Sequence, residues 1–430
     1  MSRKMTTQRV VQLFFQRTAS YYSLRREHYM QQSKTSYSTS IDFKRLTPWT
    51  KMFTAARIAC DIQNLLLAVI AILLIALGDS ALHWLPYIPS DASGPRWPWI
   101  LTTGFEHPVL RPVEHLIEII RPLVQIGQSA GIAAWSLLRL IWFLSVWAVF
   151  GGAITRMAAF KIARDETPGM PSALEYSVRR FRDYMTAPFL AVAGIGVFWF
   201  LCVSAGAFAR IPWLGEYLVA LLWFLPLLAG VVMAAILVAI VVGWPFTYVT
   251  ISTQGSDGFE AFSRSLNYIF SQPWRYVFHW LLALLHGGLI MWVAMFLLGL
   301  AVHMTAWAVG SGMGSDGVRE IISSGPTGII DASDMIPDIT EDLTIIDGEP
   351  APVSGSARVA GFWLYVITSI VVSFAISYFW SAATVNYFLI RRAEDRVEFE
   401  ELFVESRAEE ADIALAGVAA SEIPAAERPV

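Results

Sequence analysis

The sequence predicts an all-α polytopic membrane bundle of about six transmembrane helices, with two similar central hairpins and cytoplasmic amphipathic elbow helices. Three observations carry that prediction. First, the 430-residue chain is 55% hydrophobic and 15% charged, with a mean hydropathy of +0.52, whereas a soluble protein carries about 25% charged residues to solvate its surface. Second, six apolar runs each reach the roughly 20 residues that cross a hydrocarbon core. Third, Lys and Arg are distributed unevenly between the segments that join those runs. Such a composition excludes an ordinary soluble globular protein, a disordered chain and a nucleic-acid binder with a basic face. The expected partners are therefore the lipid bilayer and proteins, with no nucleic acid.

In chain order, the first run covers about Asn64 to Leu85, the second Ala133 to Ile154 and the third Pro188 to Phe208. The fourth lies within 213–249 and is longer than one crossing needs. Within it, Pro212 to Phe224 reads as an interfacial or re-entrant helix that Pro226 ends. The fifth lies within Val277 to Val309, its excess expected as tilt or projection, and the sixth covers Ala360 to Ile390. The domain plan is a basic segment over 1–57, a transmembrane domain over 58–390 with an acidic outer loop over 310–358, and an acidic tail over 391–430.

Charge sets the orientation. Residues 1–57 hold eleven Lys/Arg against two acids, Glu27 and Asp42. Adding the segments that share their side gives twenty-four Lys/Arg against six opposite, with Arg139 set aside inside the second run. The positive-inside rule then places both termini in the cytoplasm. No cleavable signal peptide is expected, because the first apolar run begins about sixty residues in. The acid-poor, Arg-rich start resembles a mitochondrial presequence, which is the minor alternative to a bacterial cytoplasmic membrane. Within it, Val10, Val11, Phe14 and Phe15 between Arg9 and Arg17 read either as a surface helix on anionic lipid or as an unstructured tail.

Shifting the chain by 85 residues aligns two segments, Ser172 to Phe181 ahead of Pro188 and Asp257 to Leu266 ahead of Pro273. Each begins with a side chain able to cap a helix and has Glu three residues on, the capping-box spacing: Glu175 and Glu260. Each then has Arg four residues after the Glu, Arg179 and Arg264, the favourable order for a helical ion pair. Leu174, Val178, Phe181 and Met185 form one apolar face, and Phe259, Phe262, Leu266 and Ile269 the other. The proline is expected to close each elbow helix at the membrane entry. This gives two units of span, elbow and span in parallel orientation, a repeat of the kind found in transporters and in membrane scaffolds.

Gly151 to Glu166, Gly243-Trp-Pro-Phe246, Asp257 to Ser265, Gln272 to Tyr276, and Tyr378 to Thr384 before Arg391-Arg392 carry a resemblance. Together they resemble an uncharacterised family of bacterial multi-pass inner-membrane proteins, over most of residues 145–400. The elbow, Glu-Ala-x-x-Arg-Ser, is also distantly similar to the membrane domain of some bacterial glycerophosphodiester phosphodiesterases. The soluble catalytic barrel of those enzymes has no counterpart here. The resemblance therefore implies a membrane fold and no known activity.

Ionisable groups within the apolar runs are the candidates for function. Arg139 lies about two turns inside the second run. It is expected to snorkel to the outer interface, pair with Glu114 or Glu118, or bind an anion. Asp61 is expected to pair with Arg57 at i,i+4. His279 and His286, seven residues apart, share a helix face about 10 Å apart in rise, too far for one metal. They read as packed histidines. His107 to Gln128 reads as an interfacial helix broken by Pro112 and Pro122. The acidic loop, with nine acids, and the tail, with eleven, are expected to be largely solvated. Cys60 and Cys202 read as buried thiols.

No nucleotide-binding, serine-hydrolase, zinc-protease or kinase motif occurs. No cofactor, metal or catalytic residue is expected. The functional expectation is a non-catalytic scaffold, assembly or accessory component of a cytoplasmic-membrane system, with a transporter or channel for a small solute or lipid as the alternative.

Overall fold

The computed structural model describes residues 48–82, 108–325 and 354–396, apart from 126, 128 and 167. Most of the basic N-terminal segment with its Val10 to Phe15 patch, most of the acidic outer loop, and the tail beyond Arg396 lie outside the described residues. Among the described residues there are twelve α-helices and no strand. They are α1 (Thr54–Ala59), α2 (Ile62–Leu82), α3 (Arg111–Val124), α4 (Ala130–Arg164), α5 (Met170–Arg179) and α6 (Phe181–Phe208). Then come α7 (Leu214–Leu221), α8 (Phe224–Gln254), α9 (Gly258–Ser271), α10 (Pro273–Met313), α11 (Ser315–Ser323) and α12 (Gly355–Asp395). Short 3₁₀ turns, Pro48–Phe53 and Pro108–Leu110, precede α1 and α3.

Helices α2, α4, α6, α8, α10 and α12 are each long and apolar enough to cross a membrane, which makes the chain a multi-pass membrane protein. They alternate in direction. One end of the bundle therefore gathers α1, α5, α9 and the last residues of α12, and is called here the elbow end; the other gathers α3, α7 and α11. Local sequence sets many of the boundaries. Ser129 opens α4 by accepting the Ile132 N–H at 3.3 Å, and Ser354 opens α12 by accepting that of Ala357 at 3.2 Å. Gly255, at φ +64°, stops α8 in the left-handed conformation that glycine adopts most cheaply.

Helix α12 is the hub of the elbow end, in contact with α1, α2, α4, α8, α9 and α10. From Val372 to Ile390 every residue is buried, as expected of a helix enclosed on all sides. Lipid tails are as apolar as leucine, so helices in a bilayer are held by close packing and hydrogen bonds rather than by apolar burial. Small residues accordingly stand at the closest crossings. A Cβ on Gly151 would fall 2.8 Å from the Trp380 ring, and one on Gly152 would fall 2.8 Å from the Tyr184 ring.

Burial is uneven. In α8 the buried positions run from Ile240 to Thr253, and in α6 they stop at Ala191. The far halves of this antiparallel pair display Phe200, Leu201, Leu227, Leu228 and Val231, apolar side chains suited to lipid.

Several expectations are corrected. Pro188 does not end an elbow helix: α5 stops at Arg179 and Pro188 lies inside α6. Pro273 opens α10 rather than closing α9, which suits a residue whose missing N–H costs nothing in a first turn. Pro226 likewise lies within the start of α8, and the break after α7 falls at Leu222–Trp223. Pro112 starts α3, and Pro122 sits in its last turn without breaking it. The acidic loop begins later than expected, because α10 runs to Met313 and α11 follows it.

Candidate functional site

The elbow end carries most of the residues singled out from the sequence. Asp257 caps α9, its Oδ1 accepting the Glu260 N–H at 2.7 Å. In α5 the cap position is Gly169, and Ser172 lies inside the helix with its hydroxyl donating to the Gly169 carbonyl at 2.8 Å. The capping box is thus half present in one elbow and absent from the other. Glu175 and Arg179 approach to 3.8 Å with both side chains about 70% exposed, at 68% and 71%. Arg264 pairs with Glu260 and also donates to Gln254 Oε1, whose amide nitrogen donates to the Tyr387 hydroxyl at 2.7 Å. So Arg264 joins α9 to α8 and α12, whereas Arg179 remains on its own helix.

The predicted apolar faces pack in part. Ala173 and Ser177 of α5 and Gly258, Ala261, Ser265, Tyr268 and Ile269 of α9 are buried, and Leu174 packs against the core, while Val178 and Phe259 are 57% and 62% exposed. Small side chains let α5 and α9 lie close against α4 and α8.

Beneath the elbows runs a buried set of neutral hydrogen bonds. Ser252 is its centre. Its hydroxyl lies 2.5 Å from that of Thr155 and 2.7 Å from that of Tyr184, and 3.2 Å from the Gly152 carbonyl. Arg156 donates to the Ser252 carbonyl at 3.1 Å and stacks over the Tyr176 ring at 3.5 Å. Tyr268 donates to Asp395 and Gln272 to Glu394, each at 2.7 Å, tying α9 and its C-cap to the end of α12. The hydroxyl-rich run from Thr247 to Thr253 is the sequence signal for this network.

The opposite end is organised by charge. Arg139 does not pair with Glu114 or Glu118. It forms a bidentate pair with Asp79, 3.0 Å from Nε to Oδ1 and 3.1 Å from Nη2 to Oδ2, with both residues buried. Asp79 escaped notice because it lies within the first apolar run, although an acid in such a run is itself a signal. His115, 1% exposed on α3, lies 3.7 Å from Asp79 and 3.5 Å from Glu118. Burial pulls the His115 imidazole below its ordinary value, and the bond from His115 holds the Glu118 carboxyl below its own. Arg139 also stacks on Trp135 at 4.7 Å.

Between the two ends the centre is filled. Phe143, Trp147, Trp244, Tyr248, Phe379 and Trp380 pack ring against ring at centroid distances of 5.1 to 6.2 Å. Two of the histidines of α10 hold α12: His279 Nδ1 lies 2.8 Å from Asn386 Oδ1, and His286 Nδ1 lies 3.0 Å from the Tyr378 hydroxyl. Among the described residues no group of three His, Cys, Asp or Glu side chains is placed to hold a metal. Asp61 does not pair with Arg57; it caps α2 by accepting the Gln63 N–H at 2.9 Å. Cys60 is exposed rather than buried, and neither cysteine forms a disulfide.

No family model matches this chain, and no curated protein or solved structure matches it either.

Proposed function

We propose that this protein is a non-catalytic scaffold or assembly component of a bacterial cytoplasmic membrane, with the elbow end and both termini in the cytoplasm. One observation carries the reading. The elbow helices are held on a body whose centre is packed with aromatic rings, and they turn charged side chains outward, Glu175 and Arg179 above all. That arrangement suits docking: a fixed platform presenting a charged face at the membrane surface. Two span–elbow–span units, α4–α5–α6 and α8–α9–α10, fit the parallel internal repeat and would give a partner two related contacts.

The alternative, transport of a small solute or lipid, drew on Arg139 as a charge inside the membrane. Its charge is matched by Asp79; that reading also rests on the repeat and on the broken fourth run.

The test is site-specific photo-crosslinking in native membranes from positions 175 and 179, with position 228 on the far half of α8 as control. A discrete protein adduct at the elbow positions and none at the control is the expected result. No adduct at either elbow position would overturn the reading.

A further inference from the structure

A cavity of about 220 Å³ opens at the elbow end, where α1, the start of α2 and the last turns of α4 meet. Arg57, Cys60, Asp61, Asn64, Met157 and Lys161 line it. Two of these groups point to a guest. Asn64 is 2% exposed; its Nδ2 donates to the Ile58 carbonyl at 2.9 Å, but its Oδ1 accepts no hydrogen bond. A buried acceptor is costly to leave unmet, so a cavity beside one favours a molecule that brings a donor. Arg57 makes no hydrogen bond or ion pair with the described residues. A guanidinium hydrogen-bonded to no carboxylate, beside a cavity, suits an oxyanion even though Asp61 lines the same cavity and Asp165 is near enough to feel its charge, because its fork can bind the anion through two donors.

The remaining lining completes the pattern. Lys161 holds Asp165 at 2.9 Å, but the Asp165 side chain is 78% exposed. Such a surface pair is weak, so the ammonium is free to turn to an anion in the cavity. Asp61 spends Oδ1 on the Gln63 N–H, and its carboxylate adds negative charge beside Asn64. The site therefore offers cationic donors toward Arg57 and Lys161 and acceptors toward Asn64 and Asp61.

Its depth is that of a headgroup. The α2 span begins at Ile62, one residue past Asp61. Ile62, Leu66, Leu73 and Leu77 are all exposed, Ile62 at 76%, and form a lipid-facing stripe that starts in that same turn.

We propose that this cavity binds the headgroup of a membrane phospholipid that carries a hydrogen-bond donor beside its phosphate. The phosphate lies between Arg57 and Lys161, and the headgroup ammonium or hydroxyl donates to Asn64 Oδ1. The same phosphate-plus-donor chemistry is found in soluble molecules, so the test separates the two sources. This site stands independently of the scaffold reading.

Native mass spectrometry of the full chain, released from detergent with added lipid, reads the occupancy directly. Phosphatidylethanolamine or phosphatidylglycerol is expected to bind about tenfold more tightly than phosphatidylcholine, whose headgroup has no donor. Arg57→Gln removes a side chain that makes no hydrogen bond or ion pair with the described residues, so the fold is expected to survive while the preferred lipid loses about tenfold in affinity. Asn64→Leu tests the acceptor. Because it also removes the bond to Ile58, Lys161→Gln serves as a second variant that leaves that turn intact. Equal binding of all three lipids, or unchanged binding in both Arg57→Gln and Lys161→Gln, would overturn the proposal. So would phosphoethanolamine or inorganic phosphate competing as strongly as the lipid, which would assign the cavity to a soluble anion.

Discussion

The two ends of the bundle solve the same problem by different means. At the elbow end, α4, α6 and α8 meet mainly through neutral hydroxyls and carbonyls around Ser252, with Arg156 also donating to the Ser252 carbonyl and the charged side chains of α5 turned to water. At the far end, α2 and α4 meet through a fully charged pair, Asp79 and Arg139, shielded by α3 and its His115. A neutral network divides its worth over many bonds and tolerates the loss of one. A buried ion pair concentrates it, because either partner left alone is an uncompensated charge. The difference teaches which residues hold the fold and which are free to serve at the surface.

The largest effect is expected at the ionic end. Asp79→Ala leaves the Arg139 guanidinium without its carboxylate and is expected to cost about 3–5 kcal/mol, read as a large drop in thermal midpoint in detergent. The double variant Asp79→Leu with Arg139→Leu is expected to recover most of that loss. If it does not, the pair contributes more than charge balance.

Close packing at the elbow end comes next. Gly152→Val inserts atoms where a Cβ already meets the Tyr184 ring and the Ser177 hydroxyl. A cost of about 1–3 kcal/mol is expected, with Gly206→Val, which faces open space, as the matched control. Ser252→Ala removes the central hydroxyl; Thr155 keeps the Gly152 carbonyl but the buried Tyr184 hydroxyl loses its partner, so about 1–3 kcal/mol is expected in the same assay. A loss as large as that of Asp79→Ala would erase the contrast between the ends.

Acid separates the ends without mutation. His115 is held neutral by burial, so its folded-state value lies below the ordinary 6.5. Below about pH 6.5 the unfolded chain takes up a proton that the folded chain resists, and stability falls as pH falls. The Glu118 carboxyl, also lowered, adds stability that is present above its ordinary 4.5 and is lost as pH drops through its folded value. Both signs agree. Amide protection in α3, corrected for the intrinsic exchange rate at each pH, is therefore expected to fall between pH 7 and 5 while protection in α9 changes little, and His115→Gln is expected to flatten the upper part of that response.

The smallest effect on stability is expected from Glu175→Gln with Arg179→Gln, under about 0.5 kcal/mol for so exposed a pair. Crosslinking to the partner should nevertheless fall sharply.

Much of this architecture was legible in the amino-acid order. Six apolar runs correspond to six long helices, and the elbow over 258–271 begins at the Asp257 cap that its spacing announced. The other elbow was harder. Arg180 breaks the chain eight residues before the proline expected to do so, because a proline at a membrane helix start costs little when neighbouring groups satisfy the freed carbonyl. Asp79 shows a different limit. Its type and position were visible, but its partner lies 60 residues away, and only the crossing of α2 with α4 gives Arg139 the Asp79 carboxylate rather than Glu114 or Glu118 of α3. The packing faces of the elbows were legible in part: Met185 and Ile269 are buried and Leu174, Phe181 and Leu266 pack inward, whereas Val178 and Phe259 turn outward and small residues such as Ala173, Ser177, Ala261 and Ser265 take the closest contacts.

The far halves of α6 and α8 touch little besides each other and the surrounding acyl chains. Their sequence should therefore be free to drift among greasy residues of any shape, whereas α12 from Val372 to Ile390 can scarcely exchange a methyl group. In a library of random variants, survivors should crowd into that outer hairpin and thin out toward the hub, drawing the protein's mechanical skeleton from tolerance alone.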